Sequence, residues 1–206
     1  MTNRGRYGKY GETKRLNRLR QGGKRIFFPT MKSPPGMGTE EMRIGKDQAG
    51  KSRIRVRRAR HRERRFITEL SREAFSLYGP YEETVTHWFD SGRAMAFVAL
   101  LRGKPVGFVM SGPLSVEEGP VERFEILAIA VRPENRRRGI GEALLEKTEK
   151  EARRLHIPRV YLHTAAENIP AQELFLKHGF RPLSRKKNFY PKGQDALTFV
   201  KDLIGR

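Results

Sequence analysis

Residues 124–145 read FEILAIAVRPENRRRGIGEALL. The first eight, 124–131, form an apolar run broken only by Glu125. Its length and its Ile and Val content predict a strand buried on both faces. Pro133 ends that strand, because proline has no N–H to give a ladder. Arg136, Arg137, Arg138, Gly139, Ile140 and Gly141 follow. Ile140, Ala143, Leu144, Thr148, Ala152 and Leu155 then fall on one face of a helix. A strand, a basic glycine-containing turn and a helix N-terminus in that order bring unpaired N–H groups to one place. An anion can sit there. The glycines let the backbone approach it closely, and the arginines add charge. Within residues 124–145 the nucleotide P-loop spacing GxxxxGK and the dinucleotide pattern GxGxxG are both absent.

Working outward, residues 94–101 and 106–110 read as two strands joined by a tight turn at Arg102, Gly103 and Lys104. Residues 111–120 read as a loop. Upstream, residues 53–57 alternate with period two and predict a first strand. Residues 62–77 place Phe66, Ile67, Leu70, Ala74 and Leu77 at helical spacing until Gly79 and Pro80 break the pattern. Residues 81–90 predict a second helix, with Trp88 as a core residue. Downstream, residues 159–164 predict a short strand. Asn168 stands ahead of Pro170 as a helix start, and Gly179 stops that helix. Residues 180–187 and 196–202 predict two last strands. The class is α/β (α+β), with a mixed sheet of about six or seven strands and about four helices.

The chain has 206 residues, with 43 Lys and Arg against 23 Asp and Glu, a net charge of +20. Residues 1–52 hold 13 basic and 4 acidic residues and one apolar patch, Ile26, Phe27 and Phe28. That composition predicts a disordered basic extension, with a folded domain over 53–206. The charge excess suits a polyanion, so contact with nucleic acid or a ribosome through the extension is one expectation. A dispensable extension is the other. With no cysteine, disulfides, thiolate metal sites and a cysteine nucleophile are excluded. No apolar run is long enough to span a bilayer, and the basic N-terminus lacks a signal peptide's apolar core. A cytoplasmic protein with no membrane contact and no metal is expected.

The 124–145 stretch resembles the acetyl-CoA-binding motif of the GNAT superfamily of N-acetyltransferases. That motif reads Q/R-x-x-G-x-G/A after a strand ending in V-x-P. Here it is Arg136-x-x-Gly139-x-Gly141 after Val131-Arg132-Pro133. The segment AQELFLKHGF at 171–180 and the order of elements carry the resemblance over about residues 53–203. Within it, RKKNFYPKGQDAL at 185–197 looks closest to the ribosomal-protein-alanine N-acetyltransferases. The resemblance implies a GNAT fold and acetyl-CoA as co-substrate. It also implies transfer to a primary amine, such as a protein N-terminal α-amine, by direct attack in a ternary complex. It implies coenzyme contacts at Ile129, Ala130, Val131, Arg136, Arg137, Arg138, Gly139, Ile140, Gly141, Glu142, Asn168 and Phe175. The Ile129 N–H would face the thioester oxygen, and the pantetheine arm would lie between the central strand and a splayed 159–164 strand. A non-catalytic acetyl-CoA-binding or RNA-associated module, or a small-amine acetyltransferase, are the alternatives.

Acetyl transfer needs a neutral amine, a stabilised carbonyl oxygen and a proton for the leaving thiolate. An α-amine, with a pKa of about 8, loses its proton more readily than a lysine at about 10.4. Glu125 is a candidate general base, because a glutamate inside an apolar strand must point somewhere polar. It matches the catalytic glutamate of the GNAT lysine acetyltransferases, or else faces solvent or pairs with an arginine. His163 is the other candidate base, at a position where the ribosomal-alanine enzymes carry glutamate. Many relatives place an acidic tyrosine four residues before the Gly-Phe pair. Here that position is Phe175, so Tyr190 is the candidate acid or a grip on the substrate.

Overall fold

A computed structural model describes residues 19–21, 24–26, 41–46, 52–114 and 123–203. Leu19–Gln21 (β1) and Lys24–Ile26 (β2) pair antiparallel with each other. The main sheet uses Met42–Lys46 (β3), Ser52–Arg58 (β4), Met95–Leu101 (β5), Lys104–Leu114 (β6), Arg123–Val131 (β7), Arg159–Ala165 (β8), Arg181–Lys186 (β9) and Ala196–Asp202 (β10). Their order is β3-β4-β5-β6-β7-β8-β10-β9. Every neighbouring pair is antiparallel except β7 and β8. The helices are Arg64–Phe75 (α1), Tyr81–Asp90 (α2), Ile140–Arg154 (α3) and Ile169–Lys177 (α4).

The main sheet has eight strands, against an expectation of six or seven. The additional strand is β3, upstream of the expected domain start at residue 53, and its Met42 packs against the core. The rest of the expected disordered extension, apart from β1 and β2, lies outside the described residues. The second strand of the central hairpin runs to Leu114 rather than stopping at Met110, so residues 111–114 are strand and not loop. Pairing with β7 carries it on, from Ser111↔Ile126 to Leu114↔Arg123. Residues 115–120 lie outside the described residues.

The sheet is covered on both faces, which explains the continuous apolar run of β5. Met95, Phe97 and Ala99 enter the core shared with α3 and α4, while Ala96, Val98 and Leu100 enter the core shared with α1 and α2. Trp88 is buried in the second core, as expected of it. Side-chain links hold α1 to α2, an Arg72–Glu82 ion pair at 3.6 Å among them. The Arg64 guanidinium donates to both Asp90 carboxylate oxygens at 2.8–2.9 Å, and the Thr68 and Thr86 hydroxyls meet at 2.7 Å.

One irregularity decides the geometry of β7. Its register with β6 passes from Met110↔Ala128 to Ser111↔Ile126, so Leu127 has no opposite residue. Such a bulge reverses which side chains face which way. Before it, Phe124 and Ile126 face α3 and α4; after it, Ala128 and Ala130 face α1 and α2. Beyond the bulge β7 also leaves its other neighbour. Parallel pairing with β8 covers Phe124↔Val160, Glu125↔Tyr161 and Ile126↔Leu162, and ends there.

Candidate active site

A cleft of about 90 Å³ opens where β7 and β8 part. Its walls come from β7 (residues 125–129), β8 (residues 162–165), the start of α4, the α1–α2 corner and Tyr190. The parting was expected from the resemblance. Leu127 and the residues after it have no β8 strand opposite, so one edge of β7 is open to an extended ligand.

At the inner end stands Glu125, only 4% exposed. Its Oε1 is 3.4 Å from His163 Nε2 on β8. The two candidate bases are therefore one cluster rather than alternatives in separate places. The His163 ring is held from three further sides. Thr198 Oγ1 lies 3.0 Å from its Nδ1, Lys186 Nζ lies 3.2 Å from its Nε2, and the Phe189 ring centre is 4.8 Å away. An ammonium has protons to donate and no lone pair. A charged Lys186 therefore makes Nε2 the acceptor, and the Nδ1 proton then goes to Thr198.

The outer end is aromatic. Tyr190 packs against Tyr78 at 5.0 Å, Tyr81 at 6.0 Å and Phe189 at 5.1 Å between ring centres. The lip that carries Tyr190 is tied to the α1–α2 corner. Lys192 Nζ donates to Ser76 O at 2.9 Å, and Gln194 Nε2 donates to Leu77 O at 2.7 Å. Burial pushes the Tyr81 phenol up to about 12. Burial, and then the neighbouring tyrosines, push Tyr190 above its usual range. Burial, then Glu167, raises Tyr78 as well. All three phenols keep their protons at neutral pH. Tyr78, Tyr81, Thr198 and Lys186 were not singled out from the sequence as site residues. Tyr78 and Tyr81 flank the Gly79-Pro80 break, which was the one local signal; Thr198 and Lys186 offered none.

The basic turn has the shape that an anion requires. Arg137 and Gly139 take positive φ, 59° and 77°. Among the described residues, no backbone carbonyl accepts from the N–H groups of residues 137–142. A Cβ built on Gly139 would meet nothing within 4 Å, so the turn faces open space. Gly141 serves differently: a Cβ there would lie 2.9 Å from Leu174 Cδ2, so this glycine lets α3 and α4 approach. The turn thus has the donors and the room for a pyrophosphate.

The remaining coenzyme candidates divide. Ile129 lines the cleft, and Ala130 and Val131 continue the same strand. Asn168 and Phe175 line it too. The Asn168 side chain also accepts from Ala171 N at 3.3 Å, capping α4, and Phe175 packs against Phe180 and Phe199. Arg136 Nε donates to Val131 O at 3.1 Å, which ties the turn to the strand end. Arg137 lies 3.6 Å from Glu173, and Glu142 accepts from Lys177 at 2.6 Å. Arg138 is exposed, and Ile140 is fully buried in the core.

Comparison with known proteins agrees with this geometry. The acetyltransferase (GNAT) family model matches residues 64–180. An N-alpha-acetyltransferase of Sulfurisphaera tokodaii is 32% identical over 169 residues, spanning 79% of this chain and all of that protein. The ribosomal protein bS18-alanine N-acetyltransferase of Escherichia coli is 26% identical over 112 residues, 54% of this chain and 72% of that protein. The structure of Salmonella typhimurium yncA with its cofactor acetyl-CoA superposes with a TM-score of 0.66 at 18% identity, covering 75% of this chain and 96% of that one. The chain belongs to the GNAT family of acetyltransferases. It is an acyltransferase. Among the described residues no helix is long and apolar enough to cross a membrane, and no cluster of potential metal ligands occurs.

Proposed function

We propose that this protein is an N-terminal acetyltransferase that uses acetyl-CoA and takes the free α-amine of a polypeptide as acceptor. The observation that carries the reading is a buried carboxylate, Glu125, at the closed end of a cleft whose open end is walled by Tyr78, Tyr81 and Tyr190. The similarity to N-alpha-acetyltransferases supports the choice of acceptor.

The turn at 136–141 would hold the coenzyme's pyrophosphate on its N–H groups, and the open edge of β7 at Ile129, Ala130 and Val131 would receive its pantetheine arm. The coenzyme supplies the activated acetyl group. The Ile129 N–H then donates to the carbonyl oxygen as charge develops on it. Glu125 takes the proton that the amine loses as its nitrogen bonds to the acetyl carbon. His163 is the positioning residue. Its Nε2 lone pair is engaged by Lys186, so it shapes the pocket of Glu125 rather than replacing it. Tyr190, protonated and in the same cleft, returns a proton to the departing thiolate, the part that Phe175 lacks the hydroxyl to play. An α-amine supplies more of its free base near neutral pH than a lysine does, since its pKa is about 8 rather than about 10.4.

The test uses acetyl-CoA, a set of short peptides differing in their first residue, and the same peptides with blocked N-termini. Thiol release and mass mapping of the product are the readouts. Acetylation at the α-amine of the free peptides alone is expected. Acetylation of lysine side chains in the blocked peptides, or of small amines only, would overturn the reading.

A further inference from the structure

A second concavity lies at the same end of the sheet as the basic turn, and it shares no lining residue with the cleft. It is an open groove of about 1290 Å³ between α1, the β5–β6 turn and the chain that follows β7. Arg62, Arg65, Arg102, Lys104, Arg132 and Arg138 line it against two acids, Glu69 and Glu134. Arg62 and Arg65 are held by Glu63 and Glu69, and Arg132 lies 5.4 Å from the Phe66 ring centre. Arg102, Lys104 and Arg138 are exposed, and none makes an ion pair with another described residue.

The β5–β6 turn is built to present these charges. Leu101 pairs with Lys104, and Arg102 and Gly103 between them both take positive φ, 50° and 79°. That is the two-residue hairpin turn in which asparagine or aspartate usually precedes glycine. An arginine here accepts a disfavoured backbone region and stands at the tip.

We propose that this groove binds the phosphodiester backbone of a nucleic acid. Five of its six cations are arginines, whose planar guanidinium matches a phosphate's oxygens. The groove is too open to enclose a small anion, but it suits a chain of phosphates running along it. The surplus is local, and the whole chain's +20 reinforces it. Backbone contacts of this kind are indifferent to base sequence. The inference is independent of the acceptor proposed above, since it needs no group of the cleft.

The experiment is fluorescence anisotropy of the full-length chain with a labelled RNA of about 20 nucleotides, longer than one site, over a salt series. DNA of equal length and polyglutamate serve as comparison probes. The groove variant is Arg102→Asn with Lys104→Gln, asparagine being among the non-glycine residues that tolerate that backbone best. The control is Arg181→Gln with Lys187→Gln at the far edge of the sheet, an equal loss of charge. The groove variant should weaken RNA and DNA binding alike and lower the slope of log affinity against log salt by about 1–2. The control should leave both nearly unchanged. Saturating acetyl-CoA should not displace the RNA, and acetyl transfer to peptides should survive in both variants. An unchanged slope in the groove variant, or an equal loss in the control, would overturn the proposal. So would preference for polyglutamate, or full displacement by acetyl-CoA, which would make the groove part of the coenzyme's own site.

Discussion

β7 is one strand with two environments. Over residues 124–126 it is paired on both edges, with β6 and with β8. From Leu127 onward only β6 remains beside it. The paired half carries a buried carboxylate: Glu125 lies against His163, which contacts Thr198 and Lys186 in turn. The parted half leads into a turn with open space beside Gly139 and with N–H groups that no described backbone carbonyl accepts from. In the proposed mechanism the difference separates two tasks that conflict on a uniform strand. A proton acceptor needs its side chain immobilised, whereas a backbone that receives an extended ligand needs its own hydrogen bonds free.

The largest effect is expected at the parted end. Gly139→Glu should remove acetyl-CoA binding from the range of calorimetry, because a side chain and a negative charge would occupy the anion's place. Positive φ at this position adds strain, so Gly139→Ala is the companion. The alanine Cβ has room, and roughly 1–2 kcal/mol of backbone cost should lower stability without abolishing binding. Equal affinity in Gly139→Glu and the parent would break the assignment of this half of β7 and its turn.

At the paired end, Glu125→Gln should lower the rate by about 10²–10⁴ near neutral pH and leave coenzyme affinity nearly unchanged. Part of the loss should return at high pH, where more of the amine is free. Full activity at neutral pH would show that the paired half has no part in the chemistry.

The smallest effect sharpens the division of labour within the paired half. Lys186→Met removes one partner of the His163 ring, and a modest rate change with coenzyme affinity nearly unchanged is expected. A fall as large as that of Glu125→Gln would break this division. On the alkaline side, buried phenols hold their protons past the usual tyrosine value of 10, with Tyr81 near 12. Loss of activity with a midpoint close to 10 would contradict that assignment.

Much of the site was legible because it is local in the chain. Strand, basic turn and helix follow one another in 22 residues, and each has its own signal: an apolar run, glycines beside arginines, and a helical period. Asn168 ahead of Pro170 marked the start of α4 in the same way, and its side chain does cap that helix. The eighth strand was hidden because residues 42–46 resemble the basic segment around them in composition, and only their pairing with β4 distinguishes them. Lys186 and Thr198 were invisible for a related reason. They sit 23 and 35 positions beyond the histidine they touch, Thr198 on β10 beside β8 and Lys186 on β9 one strand further out.

The sequence alone determined the family, the anion turn and the identity of the two acid–base candidates, since those rest on residue types at short spacing. It left open whether Glu125 and His163 were rivals or partners. Tertiary structure brought the two within 3.4 Å of each other, and through the bulge at Leu127 it set which way the rest of β7 faces. A strand's side chains alternate strictly, so a single unpaired residue reassigns every one that follows it, and hydrogen bonding to a neighbouring strand, rather than any local residue preference, settles where that residue falls.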